Sequence, residues 1–309
     1  ASPAAVYRIT LQYGRGYQGI RSLILKSVAP AWPNDPFGAD RECLFYSTLL
    51  PQLEFPRLRV YHVGVDPGTG SRLILLEDIA DRYRFPTPVH LWTRKEIRSI
   101  LRAYARLHVM GRDCLPPAQD RAWLYQMALQ KRAWRLEELV AKVEALIERG
   151  IWAPIAGVGR LVEKTLAGVA SFSGTPATLL HNDVYPPNIA LPRSLAEEAV
   201  LVDWEMVGVG PAQLDTAFMF LLPYRNTRNI NRAEALNYYW EQRLKLEDVI
   251  PPAGEREEMQ RYADAFWVLS LVPVAARVAA QPFSPGSAPA AYWEAMFGVL
   301  EEQLRALCQ

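Results

Sequence analysis

The chain has 309 residues, of which 50% are hydrophobic and 22% charged, and its formal net charge at pH 7 is +1. This length and apolar content are enough to bury two hydrophobic cores. A net charge so close to zero argues against a surface built to bind nucleic acid or an anionic membrane.

Compartment and membrane topology can also be predicted from the sequence. No apolar run is long enough to predict a membrane span, and no signal peptide is visible. The three cysteines are too scattered for a disulfide framework or a zinc site. This cysteine usage favours a reducing, cytoplasmic location.

The first segments predict two antiparallel strands. Residues 6–13 alternate with period two, and residues 20–28 form an apolar run that Lys26 interrupts. Residues 14–19 match the spacing G-x-G-x-x-G of a dinucleotide-binding loop, but that motif must open a helix and here a strand follows. We therefore interpret these glycines as a hairpin turn. A lysine in a buried strand is costly unless it is paired, so Lys26 needs an acidic partner.

A helix and a second strand pair are predicted next. Residues 39–50 have helical periodicity, and Glu42 in the first turn could reach Lys26. Strands are predicted at residues 57–65 and 72–79, separated by a proline–glycine turn.

Beyond residue 93 the pattern is helical, which gives a small strand-rich region followed by a larger helical one. Helices are predicted at residues 94–110, 122–149, 159–170, 212–222, 232–245, 255–278 and 290–308.

The most informative segment lies between residues 181 and 205. Asp183 follows His181, and Asn188 stands five residues further on. A predicted strand at residues 199–202 then ends at Asp203. Such a pattern is typical of a phosphoryl-transfer site, in which one carboxylate orients a hydroxyl nucleophile while an amide and a second carboxylate hold Mg²⁺ on ATP.

The chemistry of each side chain suits this division of roles. Mg²⁺ prefers hard oxygen ligands and takes few of them from protein, which fits Asn188 and Asp203. Asp183 is then left to accept the proton of the attacking hydroxyl or to orient it. Aspartate and asparagine are also common turn residues. The preceding His181 and the tryptophan that follows Asp203 argue against coincidence.

This segment resembles the aminoglycoside phosphotransferase and choline kinase family, within the protein-kinase-like superfamily. The matching residues are His181, Asp183, Asn188, Asp203, Trp204 and, in the sequence Gly-Pro-Ala-Gln-Leu-Asp, Asp215. The resemblance implies that Asp215 braces the catalytic loop through backbone hydrogen bonds and that His181 has a structural role. Asn182 departs from the family's usual glycine, and Val184-Tyr185 replaces a commoner pair, so the subfamily and its substrate stay open.

The resemblance also implies an α+β, bilobal protein-kinase-like fold. Residues 1–79 would form an ATP-binding N-lobe with a small antiparallel β-sheet, and residues 80–309 a mainly helical C-lobe with the catalytic loop and the acceptor site. On this alignment the phosphate loop falls at or before residues 2–5, and the N-lobe lacks its first strand.

The same resemblance assigns the nucleotide contacts. Lys26 would bind the α- and β-phosphates while Glu42 holds it in place. Backbone groups of Glu77, Asp78 and Ile79 would pair with the adenine edge at the hinge between the lobes.

These expectations describe an ATP- or GTP-dependent, Mg²⁺-dependent O-phosphotransferase acting on a hydroxyl of a small molecule. A protein kinase is a weaker alternative, because the Asp-Phe-Gly and Ala-Pro-Glu signatures are missing. A nucleotide-binding pseudokinase or scaffold without turnover is the other alternative. The joint presence of Lys26, Asp183, Asn188 and Asp203 argues against it.

The acceptor and the oligomeric state remain open. Carboxylates would suit a polycationic sugar, an aromatic cage a choline-like ammonium, and a wide apolar cleft a macrolide. Core packing is the simpler explanation of the aromatic residues, and Glu205 is a candidate to face the acceptor. The aromatic residues after the motif are Phe218, Phe220, Tyr224, Tyr238, Tyr239, Trp240, Phe266 and Trp267, and the acidic ones include Glu247, Asp248 and Asp264.

Overall fold

A computed structural model describes residues 4–14, 19–30, 35–87, 90–126, 136–171, 177–183, 185–194, 197–221, 231–247, 250–280 and 288–309. An antiparallel sheet at the N-terminal end is followed by a mainly helical region. The central residues of the predicted hairpin turn and the expected phosphate-loop position before residue 4 lie outside the described residues.

Four antiparallel strands form the N-terminal sheet, in the order β1-β2-β4-β3. They are β1 (Ala4–Thr10), β2 (Ser22–Val28), β3 (Val60–Val65) and β4 (Arg72–Glu77). In this register Lys26 lies opposite Val6 on one side and Ile74 on the other. The lysine therefore sits on an interior strand, where it is 6% exposed. The strands predicted here are confirmed.

The helix predicted at residues 39–50 is present but irregular. The α-helix α1 (Arg41–Leu44) continues as a π-helical turn (Phe45–Leu49) and a 3₁₀ turn (Leu50–Gln52). Two hydroxyls explain the change, because Ser47 Oγ bonds the Cys43 carbonyl at 2.8 Å and Thr48 Oγ1 bonds the Leu44 carbonyl at 2.5 Å. These carbonyls would otherwise accept the backbone N–H groups of an α-helix.

Seven further helices are described in the rest of the chain, with short strands between them. The helices are α2 (Arg94–Asp113), α3 (Leu136–Glu148), α4 (Val158–Ser171), α5 (Gln213–Leu221), α6 (Arg232–Leu244), α7 (Ala253–Ala279) and α8 (Ala288–Cys308). The strands are β5 (Tyr83–Arg84), β6 (Thr178–Leu180), β7 (Ile189–Pro192), β8 (Val200–Leu201) and β9 (Gly208–Gly210). Six of the predicted helices are confirmed within a few residues.

The helix predicted at residues 122–149 is wrong in its first part. Tyr125 instead forms an isolated parallel bridge with Gly208. Its N–H donates to the Val207 carbonyl at 3.0 Å, and its carbonyl accepts from Val209 N at 3.1 Å. These long-range hydrogen bonds override the local helical pattern at residues 122–126. Residues 127–135 lie outside the described part of the chain, and residues 136–148 are helical as predicted.

By length and composition α7 could span a membrane, contrary to the sequence expectation. Half of its most apolar stretch is buried inside the protein. It packs against α3, α4, α5 and α8. We therefore interpret α7 as a core helix, whose apolar residues are explained by these contacts.

Two strand pairs place the central motif. β6 pairs with β9, and β7 pairs with β8. The segment 181–188 therefore connects β6 to β7, while Asp203 lies two residues after the end of β8. Asn188 and Asp203 thus line one cavity together with Lys26 of the N-terminal sheet.

Gly111 allows α2 to approach β6 closely, and we expect Gly111→Ala to destabilise the fold. An added Cβ would lie 2.6 Å from Leu179 Cβ and 3.1 Å from Leu179 N. Overpacking of this kind costs about 1–3 kcal/mol. Urea unfolding followed by circular dichroism measures the loss.

The matched control is Gly298→Ala, at an exposed position of α8 where an added Cβ meets nothing within 4 Å. It should stabilise the protein by about 0.5–1 kcal/mol, because glycine is unfavourable inside a helix. Equal stabilities of the two variants would mean that α2 can move away from β6 without cost.

Candidate active site

Lys26 forms two short ion pairs. Its Nζ lies 2.6 Å from Glu42 Oε2 and 2.5 Å from Asp203 Oδ1. Burial alone would lower the pKa of Lys26, but the charges of Glu42 and Asp203 outweigh this effect and raise the pKa above its ordinary value. The structure thus brings together three of the residues that the sequence singled out.

Glu42 links the N-terminal sheet to the segment after β8. Besides its contact with Lys26, its Oε1 accepts a hydrogen bond from Trp204 N at 3.2 Å. The side chain is 3% exposed. Burial raises the pKa of Glu42, and the charge of Lys26 offsets part of this rise.

Asp215, in the first turn of α5, holds the start of the catalytic loop. Its Oδ2 accepts from His181 N and its Oδ1 from Asn182 N, both at 2.8 Å. These are contacts of the kind that the resemblance implies. His108 Nε2 also lies 3.1 Å from Asp215 Oδ2. The fully buried carboxylate therefore has three partners, which fix the direction of the loop.

The ring of His181 is buried and engaged with backbone groups on both sides. Its Nε2 lies 3.0 Å from the Val202 carbonyl, and its Nδ1 lies 3.3 Å from Asp183 N. This pair of contacts suits a neutral imidazole that donates through Nε2 and accepts through Nδ1. Burial lowers the pKa of His181, which favours the same neutral form.

Asn182 satisfies a backbone geometry that normally calls for glycine. Its φ is +61°, in the left-handed region that asparagine tolerates better than most residues. Its Nδ2 donates to the Met206 carbonyl at 3.0 Å. The Asn182 amide also needs the glycine at position 208, because an added Cβ there would lie 2.4 Å from the amide nitrogen and 2.1 Å from the Tyr125 carbonyl oxygen. The departure from the family's glycine therefore leaves the shape of the loop intact.

Asp183 and Asn188 are joined across the loop. Asn188 Nδ2 donates to Asp183 Oδ2 at 2.8 Å and to the Asp183 carbonyl at 3.1 Å. The two prolines before Asn188 lie in a 3₁₀ turn (Pro186–Asn188). Burial raises the pKa of Asp183 to about 7, with further contributions from the charges of Asp203 and Glu205.

Asp203 also adopts an uncommon backbone conformation, with φ +66°. Its side chain is 33% exposed, in contrast to Lys26 and Glu42. Glu205 Oε2 lies 3.8 Å from Lys26 Nζ, so this carboxylate faces the lysine. Strained residues of this kind cluster at functional sites.

The donor set fits a hard divalent cation. Asn188 uses its Nδ2 on Asp183, and none of the described residues donates to its Oδ1. Amide and carboxylate oxygens of this kind suit Mg²⁺, and the excess of negative charge around Asp183 favours a cation. Among the described residues no group of three or more His, Cys, Asp or Glu side chains forms a metal cage. A cation bound here would need ligands beyond those that the described residues supply.

A cavity of 380 Å³ lies against Lys26, Asn188 and Asp203 and extends to residues 77–80. The walls include the apolar side chains of Ile24 and Leu76. A larger cavity of 620 Å³ shares Leu58, Glu77 and Ile79 as walls but contains no residue of the catalytic loop. We therefore assign the ligand site to the smaller cavity.

At the expected hinge, the two carboxylates are already engaged. Asp78 Oδ2 accepts from Ser22 Oγ at 2.7 Å and pairs with Arg8 at 2.8 Å. Glu77 Oε1 pairs with Arg82 Nη2 at 2.6 Å. The backbone N–H of Ile79 donates to none of the described residues, so backbone groups are what this segment offers to a ligand.

Core packing accounts for most of the described aromatic residues after the motif, whereas Tyr238 is half-buried and its Oη accepts from Arg102 Nη1 at 3.1 Å. Tyr224 and Asp248 lie outside the described residues. Asp264 pairs with Arg232, and Glu247 with Arg112 and Arg243. Buried in the core, each less than 8% exposed, are Phe218, Phe220, Tyr239, Trp240, Phe266 and Trp267.

His108 is a supporting residue that the sequence analysis did not assign to the site. It is fully buried, and its Nδ1 lies 2.7 Å from Tyr239 Oη while its Nε2 faces Asp215. A signal was present, because an imidazole on the apolar face of α2 needs buried partners.

Asn182 gives a direct test of the loop geometry. Asn182→Ala and Asn182→Gly both lose the hydrogen bond to Met206, but only alanine places a Cβ at positive φ. Alanine should therefore lower the free energy of unfolding by about 1–2 kcal/mol more than glycine. Urea denaturation of both variants measures the difference. Equal losses would show that the hydrogen bond alone is important.

Comparisons with known proteins place this geometry in a family. The model of the APH phosphotransferase enzyme family matches residues 4–262. No curated protein matches the chain in sequence.

Solved structures share the fold. A Ralstonia eutropha JMP134 protein provisionally named an aminoglycoside phosphotransferase aligns with a TM-score of 0.61 at 14% identity, over 99% of this chain and 94% of the other. A microcompartment-associated aminopropanol kinase aligns at 0.60 and 14%, over 98% and 93%. The GDP complex of aminoglycoside 2'-phosphotransferase-IIIa aligns at 0.55 and 11%, over 97% and 93%.

These alignments confirm the expected fold, with an antiparallel sheet in the N-terminal part and a helical C-terminal part. Since the family model covers most of the chain, the protein belongs to the APH phosphotransferase enzyme family.

Proposed function

We propose that this protein is an ATP- or GTP-dependent and Mg²⁺-dependent O-phosphotransferase whose acceptor is a hydroxyl of a small molecule. The observation that carries the proposal is the meeting of Lys26 with Asp203 at 2.5 Å, beside the Asp183–Asn188 pair. One site is thus bordered by a cation that can bind phosphate (Lys26), a carboxylate that can bind a metal (Asp203) and a candidate base (Asp183).

The nucleotide would lie in the 380 Å³ cavity, between residues 1–79 as N-lobe and residues 80–309 as C-lobe. Ile24 and Leu76 provide apolar walls for a base, and the N–H of Ile79, which has no acceptor among the described residues, provides a donor to its edge. Lys26 also lines the cavity, and its ammonium would bind the phosphates. One structural neighbour is described as a GDP complex, which supports a nucleotide in this place.

Asn188 and Asp203 would hold Mg²⁺ through their side-chain oxygens. When bound, Mg²⁺ supplies charge neutralisation at the transferring phosphoryl group. Both side chains are held in position, because Asn188 is hydrogen-bonded to Asp183 and Asp203 is paired with Lys26.

Asp183 would orient the acceptor hydroxyl and take up its proton. Its Oδ2 is held by Asn188, and Asp215 fixes the preceding backbone. Because phosphoryl transfer demands little covalent chemistry from the protein, this positioning and the charge of Lys26 would supply most of the catalysis.

The acceptor class follows from the chemistry of the family. Structural neighbours bear the names of kinases for aminoglycosides and for aminopropanol, both of which carry hydroxyl and amine groups. We infer a small hydroxyl compound of this general type, and the absence of a described aromatic cage argues against a specialised quaternary-ammonium site.

Asp183→Ala should lower turnover by about 100-fold or more, the usual size of a lost acid–base contribution. A coupled ADP-release assay with Mg²⁺-ATP and a panel of aminoglycosides, macrolides, choline, amino alcohols and sugars measures it. Asp113→Ala is the control, because this carboxylate is 72% exposed and lies outside the cavity. Near-full activity in Asp183→Ala would exclude the role proposed for Asp183.

Asp203→Asn should abolish most of the Mg²⁺-dependent part of thermal stabilisation by ATP. The amide keeps the shape of the side chain but loses the charge that attracts the cation. The melting temperature is measured with ATP, with and without Mg²⁺, for the wild type and the variant. A Mg²⁺-dependent shift as large as that of the wild type would contradict the ligand role.

A further inference from the structure

Arg41, next to Glu42 at the start of α1, is buried and fully engaged. It is 2% exposed. Its Nη2 donates to both oxygens of Asp35, at 2.9 and 2.8 Å. Its Nε donates to the Trp123 carbonyl at 2.9 Å, and its Nη1 to the Glu205 carbonyl at 3.1 Å. The guanidinium also stands 5.2 Å from the centre of the Tyr125 ring. Three separate segments therefore meet at one side chain.

Such an arrangement favours a single relative position of the three segments. A buried guanidinium is tolerated only when its donors are satisfied, and its planar fork fixes their directions. Any movement of α1 away from the segment after β8 would leave donors of Arg41 and two carbonyls without partners. The cost of such orphaned groups holds α1 in place.

The segments that Arg41 contacts are connected, through sequence or hydrogen bonds, to the side chains of the proposed site. Glu205 lies two residues after Asp203, and Trp204 N donates to Glu42. Tyr125 is hydrogen-bonded to Val207 and Val209. β9 in turn pairs with β6, which ends immediately before His181.

A second arginine holds the same helix differently. Arg72 on β4 pairs with Asp40, the residue before Arg41, and its Nη2 lies 3.1 Å from Asp40 Oδ2. This pair joins α1 to its own sheet, and its two side chains are 22% and 37% exposed. Arg41 instead joins α1 to the segments of the helical region.

We propose that Arg41 is a positioning residue for phosphoryl transfer, which keeps Glu42, and through it Lys26, aligned with Asp203 and the catalytic loop. The inference rests on the proposed function. Without this alignment, Glu42 would leave Lys26, whose other close partner is Asp203. Lys26 would then stay on the residue proposed to hold Mg²⁺.

Arg41→Lys tests the link because lysine keeps the charge next to Asp35 but cannot serve Asp35, Trp123 and Glu205 together. We expect kcat to fall by about 10- to 100-fold, with the KM of the acceptor unchanged. In a Glu42→Gln background the same change should cost little more, because the route through Glu42 is already broken. If Arg41→Lys lowers kcat by the same factor in the wild type and in the Glu42→Gln background, the two residues act independently and the proposal is contradicted.

Arg72→Lys is the matched control. It changes an arginine that holds the same turn of α1, but not its link to residues 123 and 205. We expect kcat to fall by less than about five-fold, the size of a partly exposed ion pair. A loss equal to that of Arg41→Lys would mean that any loosening of α1 has the same effect, and would overturn the specific role of Arg41.

A measurement without turnover separates this inference from the proposed function. Acetic anhydride labels accessible lysines, and peptide mass spectrometry gives the rate at each one. Lys26 is 6% exposed, while Lys95 and Lys164 are exposed and serve as references. Arg41→Lys should speed labelling of Lys26 relative to both references, and Arg72→Lys should not.

The two failures are then distinguishable. If the wild type phosphorylates no acceptor, the proposed function fails, while faster labelling of Lys26 in Arg41→Lys still supports the positioning link. If labelling of Lys26 is unchanged in a folded Arg41→Lys variant, the positioning role is excluded.

Discussion

The buried ammonium of Lys26 is the group on which the rest of the site depends. An isolated charge on an interior strand would be severely destabilising, so the fold must bring carboxylates to it. One comes from α1 beside the sheet and the other from the end of β8 in the helical region. The requirement to neutralise one cation therefore sets how the two parts of the chain meet, and the cavity proposed for the nucleotide lies along that meeting line.

Around Lys26 and its two carboxylate partners, backbone groups are hydrogen-bonded to side chains that are distant in sequence. Asp215 accepts the first two N–H groups of the catalytic loop, while Asn182 and Arg41 donate to carbonyls of the segment after Asp203. Each contact fixes main chain rather than another flexible side chain. Support of this kind would hold the side chains of the proposed site in fixed positions.

Some of this could be predicted from the sequence. The cost of burying Lys26 called for an acidic partner, and periodicity located most helices and the strands of the sheet. Other features depend on contacts that no local pattern contains. Residues 122–126 leave the helix because Tyr125 bonds to strand β9, and the turn after α1 widens because two hydroxyls take its carbonyls. The partners of Arg41 and His108 come from distant segments, so adjacent residues gave no sign of them.

The two partners of Lys26 also differ in when they become available during synthesis. Glu42 lies nearby in the chain, but the carbonyls of Trp123 and Glu205, which hold its helix through Arg41, are synthesised later. Asp203 is 177 residues away and emerges from the ribosome much later. Although N-terminal units generally fold first, stable pairing of Lys26 with both carboxylates therefore waits for these later segments. Docking of Asp203 then belongs to the last steps of folding, so the nascent sheet carries no competent site until the helical region has formed.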